Sequence, residues 1–256
     1  MDPMPGHHTD DPPATEGLEY GLSIPIERLE AEWVILGELL DLDKRDILEL
    51  GCGRAEKTRA IASSGSGRSI LALEVDEEQH ALNRQITDLP NVRFALGAAE
   101  AIPAEHNSFD VVLLFKSLHH VPVDSMDRAL AEVVRVLRPG GLAYISEPIF
   151  RGDFNQVLRI FHDESRVRGE AFAAIKRLVV AGTVELVSQT FFRDPLTFQD
   201  CAEFERLVIG VTHTKHVLST GKLRQVRAQF ASFAGTGATH FEQPIRVDLL
   251  RLPPET

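Results

Sequence analysis

The chain has 256 residues, 43% hydrophobic and 25% charged, values that suit one large globular domain or one domain with an insert. Acidic residues outnumber basic ones 38 to 27, and the formal net charge of -11 opposes adhesion to nucleic acid or anionic membranes, so a small-molecule partner is expected. The only cysteines, Cys52 and Cys201, exclude a disulfide framework and a Cys-type metal cluster.

In chain order, residues 1–17 are rich in Pro, Asp, His and Thr and are expected to be a disordered tail, with His7-His8 too short to count as a metal site. Residues 18–256 are read as one domain. Over 26–40 the apolar positions Leu29, Trp33, Leu36, Leu39 and Leu40 recur at helical spacing, which predicts a helix packed on the sheet edge or over the ligand, with Trp33 either in the core or capping the site. Tyr20, just ahead of it, is a candidate to close over a bound ligand.

Residues 47–62, ILELGCGRAEKTRAIA, carry the most information. A buried strand runs through the tight turn Gly51-Cys52-Gly53 into a helix, the arrangement by which α/β proteins bring backbone close to a ligand. Cys52 is read as a small spacer within that turn. Glu49 stands two residues before the first glycine, where a carboxylate repels a pyrophosphate and attracts an ammonium or sulfonium. The next apolar run, 69–74, ends in Glu74, placed to accept both hydroxyl protons of a ribose. Helical sequence follows from Asp76 to about Thr87. A nucleoside-like cofactor with a positive end is therefore expected, and not NAD.

Glu49-Leu50-Gly51-Cys52-Gly53 resembles motif I of the class I S-adenosylmethionine-dependent methyltransferases, and Glu74 resembles their ribose-binding acid. Three further segments fit in order: Gly97-Ala98-Ala99-Glu100-Ala101-Ile102-Pro103, then 107–112 running into Lys116-Ser117-Leu118-His119-His120-Val121-Pro122, then Val136-Leu137-Arg138-Pro139-Gly140-Gly141 ahead of a fifth strand at 142–146. The resemblance covers about residues 45–150. It implies S-adenosylmethionine as the cofactor and S-adenosylhomocysteine as the product. The implied cofactor residues are Glu49, Gly51, Cys52, Gly53, Glu74, Val75, Ala98, Ala99, Glu100, Phe115 and Lys116. Two departures stand out. Arg54-Ala55 occupies the place of a third small residue, usually Gly, and Ala98 stands where many relatives carry the Asp that holds the adenine amino group.

The resemblance also implies the fold: a Rossmann-like α/β domain with a seven-stranded, mostly parallel sheet, helices on both faces and a helical cap insert. Strand–helix alternation over 45–146 agrees with parallel crossovers. The sixth strand is expected at 185–192 and the antiparallel last strand at 241–252, with helical inserts at 150–183 and 196–235 covering the acceptor.

Methyl transfer from a sulfonium needs alignment, exclusion of water and removal of a proton from the acceptor, and it needs no metal. His120 and Glu147 are the candidate catalytic residues, His120 following the fourth strand and Glu147 ending the fifth, aimed at the pocket mouth. Candidate acceptor-binding residues are Tyr20, His119, Phe150, Arg151, Asn155, Arg159, His162 and Arg166, the last four sharing adjoining helical faces that suit a polar or zwitterionic molecule if turned inward and are a solvated face if turned outward. His213 and His216 add polar groups without a motif. A cytoplasmic monomer or homodimer is expected, since no apolar run approaches about 20 residues and the N-terminus lacks a secretory pattern. Two other readings remain open: a binding or regulatory protein that keeps the fold without the reaction, and an enzyme for a modified S-adenosylmethionine.

Overall fold

The computed structural model describes residues 18–211, 214 and 216–255. The expected disordered tail, His7-His8 and His213 lie outside the described residues. Seven strands form one sheet: β1 (Asp46–Leu50), β2 (Ser69–Glu74), β3 (Val92–Leu96), β4 (Phe109–Phe115), β5 (Leu137–Pro148), β6 (Glu185–Phe198) and β7 (Thr239–Arg251). Their order is β3-β2-β1-β4-β5-β7-β6, with β1 to β5 parallel and β7 antiparallel to both of its neighbours. The expected seven-stranded, mostly parallel sheet is thus present.

Period-two alternation along the central strands sends residues to two separate cores. Leu48 and Leu50 of β1 meet Val112, Leu114 and Ile145 beneath α4 (Met126–Val136) and α6 (Ser165–Val180). Ile47, Val111, Leu113 and Tyr144 face the other way, under α1 (Glu32–Leu39) and α2 (Glu56–Ser63). The same alternation fixes the direction of two strand acids. Glu49 follows Ile47 toward α2, whereas Glu147 follows Ile145 toward α6.

Beyond the end of β5, where Pro148 pairs with Ile245, β6 and β7 continue as a two-stranded ribbon as far as the pair Phe198 and Thr239. This ribbon rises past the carboxyl ends of the parallel strands, the side on which open α/β sheets bind ligands. It carries a third, aromatic core of Phe198 and Phe241 packed with Phe154, Phe204 and Phe230, which come from α5 (Asp153–Leu158), α7 (Cys201–Phe204) and α8 (Thr220–Ala231).

Several sequence expectations need correction. The helix expected over 26–40 begins only at Glu32. Ahead of it the chain is drawn out along the sheet edge: Arg193 N donates to Arg28 O at 2.8 Å and Glu30 N to Arg193 O at 3.0 Å. That single bridge, Leu29 to Arg193, pairs the open edge of β6 at one point. The inward face of α1 is Glu32, Ile35 and Leu36, so Trp33 is 70% exposed and not in the core. The helical stretch expected over 153–180 is two helices, α5 and α6, and the break between them turns Glu164 inward. Strand β5 starts at Leu137, five residues early, because Leu137 pairs with Phe109 across a register shift. Strand β6 outruns its expected end at Phe192 by pairing with β7.

Candidate functional site

Three adjoining cavities, of about 420, 260 and 310 Å³, lie at the carboxyl ends of the strands. The first two share Gly51, Gly53, Glu74 and Phe115, and the second and third share Lys116 and His120.

The glycine turn builds the first wall. Gly51 N and Cys52 N both donate to Leu73 O, at 2.9 and 3.0 Å, which ties the turn to the neighbouring strand. Gly51 has φ +73, and a Cβ there would lie 2.9 Å from Ser117 Cβ, so glycine is required on both conformational and steric grounds. Ala55 adopts the left-handed conformation at φ 60, where the resemblance expects a glycine. The buried Cys52 touches Asn83 Nδ2 through sulfur at 3.4 Å, and burial pushes its thiol far up, in keeping with an inert spacer.

Glu49 and Glu74 flank this turn. Glu49 is buried and accepts from Thr58 Oγ1 at 2.7 Å. Burial raises its carboxyl to about 7, with Thr58 and Lys57 opposing and Glu74 adding to the rise. Glu74 accepts from Gly53 N at 2.7 Å through Oε2, and from Val75 N at 2.9 Å and Asp76 N at 3.0 Å through Oε1. Val75 is 63% exposed on the rim of the second cavity, where Ala98, Ala99 and Glu100 also lie. A buried acid for a cation, a second acid for a diol and a bare apolar face for a flat base form a set of groups that fits S-adenosylmethionine.

Lys116 lines the second and third cavities, but its ammonium is already taken. It donates to Asp194 at 2.7 Å and stands 3.5 Å from Glu32. Glu32, 2% exposed, also pairs with Lys57 at 2.7 Å and accepts from the Ser146 hydroxyl. Burial works to raise the Glu32 carboxyl, yet Lys116 and Lys57 outweigh it and hold the group below the usual range. Lys116 therefore presents a paired ammonium, and not a free charge, to these cavities.

The third cavity is lined by His119, His120, His162, Glu164 and Arg168, with Leu158, Leu207, Val208 and Val211 supplying apolar wall. His119 is 4% exposed; its Nδ1 lies 2.5 Å from Glu147 Oε2 and its Nε2 3.7 Å from Glu164 Oε1. Burial opposes a charged ring, but the two carboxylates prevail and raise His119 to about 9. Burial likewise works to raise Glu164, and His119 and Arg168 overcome it, holding the carboxyl well below the carboxylate range.

Glu147 does not face the pocket mouth as expected. It is 1% exposed, accepts from Leu118 N at 3.0 Å and grips His119 from behind. His120 is exposed and faces both the second and the third cavities.

The expected acceptor residues divide. His119 and His162 line the cavity, while Tyr20, Phe150, Arg151, Asn155, Arg159 and Arg166 do not. Tyr20 packs on Phe172 with ring centroids 5.4 Å apart. Arg151 donates to Leu22 O and Ile24 O at 2.8 and 2.7 Å, a clamp on the N-terminal segment. Asn155 is buried and accepts from Arg168 at 2.9 Å, Arg159 sits 5.8 Å from the Phe150 ring, and Arg166 is exposed. The break between α5 and α6 means that Asn155, Arg159, His162 and Arg166 do not lie on one helix and share no face. Glu32, Arg168 and the role of Glu164 were missed. The one local signal was the four-residue spacing of Glu164 and Arg168, which places them on the same helical face.

The sheet order and the glycine turn between two acids define the class I S-adenosylmethionine-dependent methyltransferase fold. Residues 48–145 match a family model described as a methyltransferase domain. A phthiotriol/phenolphthiotriol dimycocerosates methyltransferase of Mycobacterium leprae is 37% identical over 106 residues, covering 41% of this chain and 38% of that protein. Its counterpart in Mycobacterium ulcerans is 36% identical over 102 residues, 40% of this chain and 37% of the relative. The matched stretch thus spans less than half the length of these relatives. The YcgJ protein of Bacillus subtilis shares the fold at TM-score 0.57 and 18% identity, over 88% of this chain and 98% of its own. Among the described residues no helix is long and apolar enough to cross a membrane.

Proposed function

We propose that this chain transfers a methyl group from S-adenosylmethionine to a polar small molecule held in the third cavity. The observation that carries this reading is the glycine turn between Glu49 and Glu74, opening on a cavity whose His120 wall is shared with the third. The cofactor supplies a methyl group on a sulfonium, already joined to a good leaving group. Glu49 takes its ammonium, Glu74 its ribose hydroxyls, and Val75 with the 98–100 loop its base. To hold both hydroxyls Glu74 shares oxygens that now accept from Gly53, Val75 and Asp76.

The protein's work is placement. Leu207 and Val211 lie over both the first and the third cavities, where they exclude water from the reacting centre. His120, on the wall between donor and acceptor, is the group in position to take the acceptor's proton. Glu147 is a positioning residue that fixes His119. Charges of both signs on the third cavity, from Glu164, His119 and Arg168, support an acceptor with a polar or zwitterionic head.

Calorimetric titration with S-adenosylmethionine and S-adenosylhomocysteine tests the donor half, and binding of both is expected. Binding of neither sinks the proposal. With binding secured, transfer of a labelled methyl group is screened over amino acids, hydroxy acids, amines and hydroxylated lipids. The polar reading fails if the hydroxylated lipids alone are methylated.

A further inference from the structure

Among the described residues, His119, His120 and Glu164 place one nitrogen or oxygen atom each within 4.8 Å of one another, on the wall of the third cavity. We infer that these three side chains form a binding site for a divalent transition-metal ion of the zinc or ferrous type, with its open position toward the acceptor cavity. Two imidazoles and one carboxylate are a donor set such ions favour, and the remaining position admits a water or an oxygen donor of the acceptor.

The distances suit this. Two ligands about 2.0–2.1 Å from a tetrahedral ion lie about 3.3 Å apart, so the 3.7 Å between His119 Nε2 and Glu164 Oε1 closes with a small rotation. The rings of His119 and His120 have centroids 4.1 Å apart, on a single turn of 3-10 helix at Leu118–His120.

The outer contacts carry the inference further than proximity alone. A metal-binding histidine commonly has its second nitrogen held by a carboxylate, and a metal-binding carboxylate is itself hydrogen-bonded. Here Glu147 Oε2 holds His119 Nδ1 at 2.5 Å, which leaves Nε2 directed at Glu164. Arg168 grips Oε2 of Glu164 and is in turn oriented by Asn155 at 2.9 Å, so Oε1 is the oxygen presented to the cluster. His162 Nε2 meets that same oxygen at 3.0 Å. Both buried ligands are thus fixed from behind while the exposed third, His120, closes the set from the cofactor side.

The site departs from the sequence-based expectation of no metal, because no two of its three elements are close in sequence except His119-His120. Its use in holding an acceptor rests on the methyl-transfer reading, whereas ion binding does not. With an ion bound, His119 gives up its Nε2 proton to solvent, and His120 serves as a ligand and not as a proton acceptor.

The full-length protein is titrated with Co²⁺ and, in competition, with Zn²⁺, reading the visible absorption of Co²⁺ and the heat of binding. One ion per chain is expected, with a spectrum of a four- or five-coordinate site. His120→Ala is expected to weaken binding by about tenfold or more. His120 is exposed, so this variant should fold, and a wild-type circular dichroism spectrum and thermal unfolding midpoint check that it has. Glu164→Gln should show the same loss where it folds. His7→Ala with His8→Ala should leave the affinity unchanged. The inference is overturned if wild type binds neither ion, if His120→Ala binds as wild type does, or if the loss follows the tail pair instead. Reduced turnover of His120→Ala at unaltered Co²⁺ affinity would likewise remove the site and leave His120 as a base.

Discussion

The proposed donor half and acceptor half of this protein are built in different ways. On the donor side, one continuous stretch supplies a turn whose backbone is tied to Leu73, with Glu49 and Glu74 at the ends of adjacent strands. On the acceptor side, His119, Glu147 and the pair Glu164 and Arg168 come from three separate places and meet only as a buried net of alternating charge. A backbone-built site tolerates change around it as long as the turn is kept. A site built from buried charges depends on every partner, since removing one leaves another uncompensated.

The largest effect should come from breaking the acceptor net. Glu147→Ala leaves His119 and the amide of Leu118 without their acceptor and is expected to cost about 3–5 kcal/mol, read by chemical denaturation. The same net gives stability a pH dependence. Because the His119 pKa is raised to about 9 in the folded protein, its contribution is complete below about pH 6.5 and is lost as pH rises through 9. Unfolding midpoints taken from pH 6 to 9.5 should fall, and a flat profile would contradict a charged, doubly held His119.

On the donor side, Glu74→Ala should weaken S-adenosylmethionine binding by a factor corresponding to about 1.5–3 kcal/mol, with the fold retained. Equal affinity in calorimetry would remove Glu74 from the ribose site. Glu49 then sharpens the contrast through pH. Its carboxyl is raised to about 7, so it is protonated below that pH and loses its attraction for an ammonium. Affinity for S-adenosylhomocysteine should fall as pH drops from 7.5 to 5.5, by up to about tenfold per unit. Glu49→Gln should abolish that slope.

The smallest effect concerns Ala55. Relief of its left-handed backbone by Ala55→Gly, worth about 1–2 kcal/mol, is offset by the loss of a buried methyl worth about 0.8 kcal/mol. A stability gain under about 1 kcal/mol is expected, and a marked loss would show that the methyl packs more than it strains.

Much of the donor half was legible in sequence because its determinants are local. Glycines at fixed spacing mark the turn, and an apolar run that ends in an acid marks β2 to the residue. Trp33 was misplaced because hydrophobic spacing cannot report that the edge of β6 draws residues 28–30 into extended pairing. The ion pairs that hold Lys116 were not legible because nothing near it in sequence reveals Asp194 or Glu32.

By itself the sequence determined the sheet, the glycine turn and the two acids that flank it, since periodicity, turn chemistry and charge act over a few residues. Only the tertiary structure decided which way Glu147 points, that α5 and α6 break to turn Glu164 inward, and that His119 sits between two carboxylates. Those outcomes follow from strand register and from the mutual neutralisation of charges that cannot be buried singly, which couple residues distant along the chain.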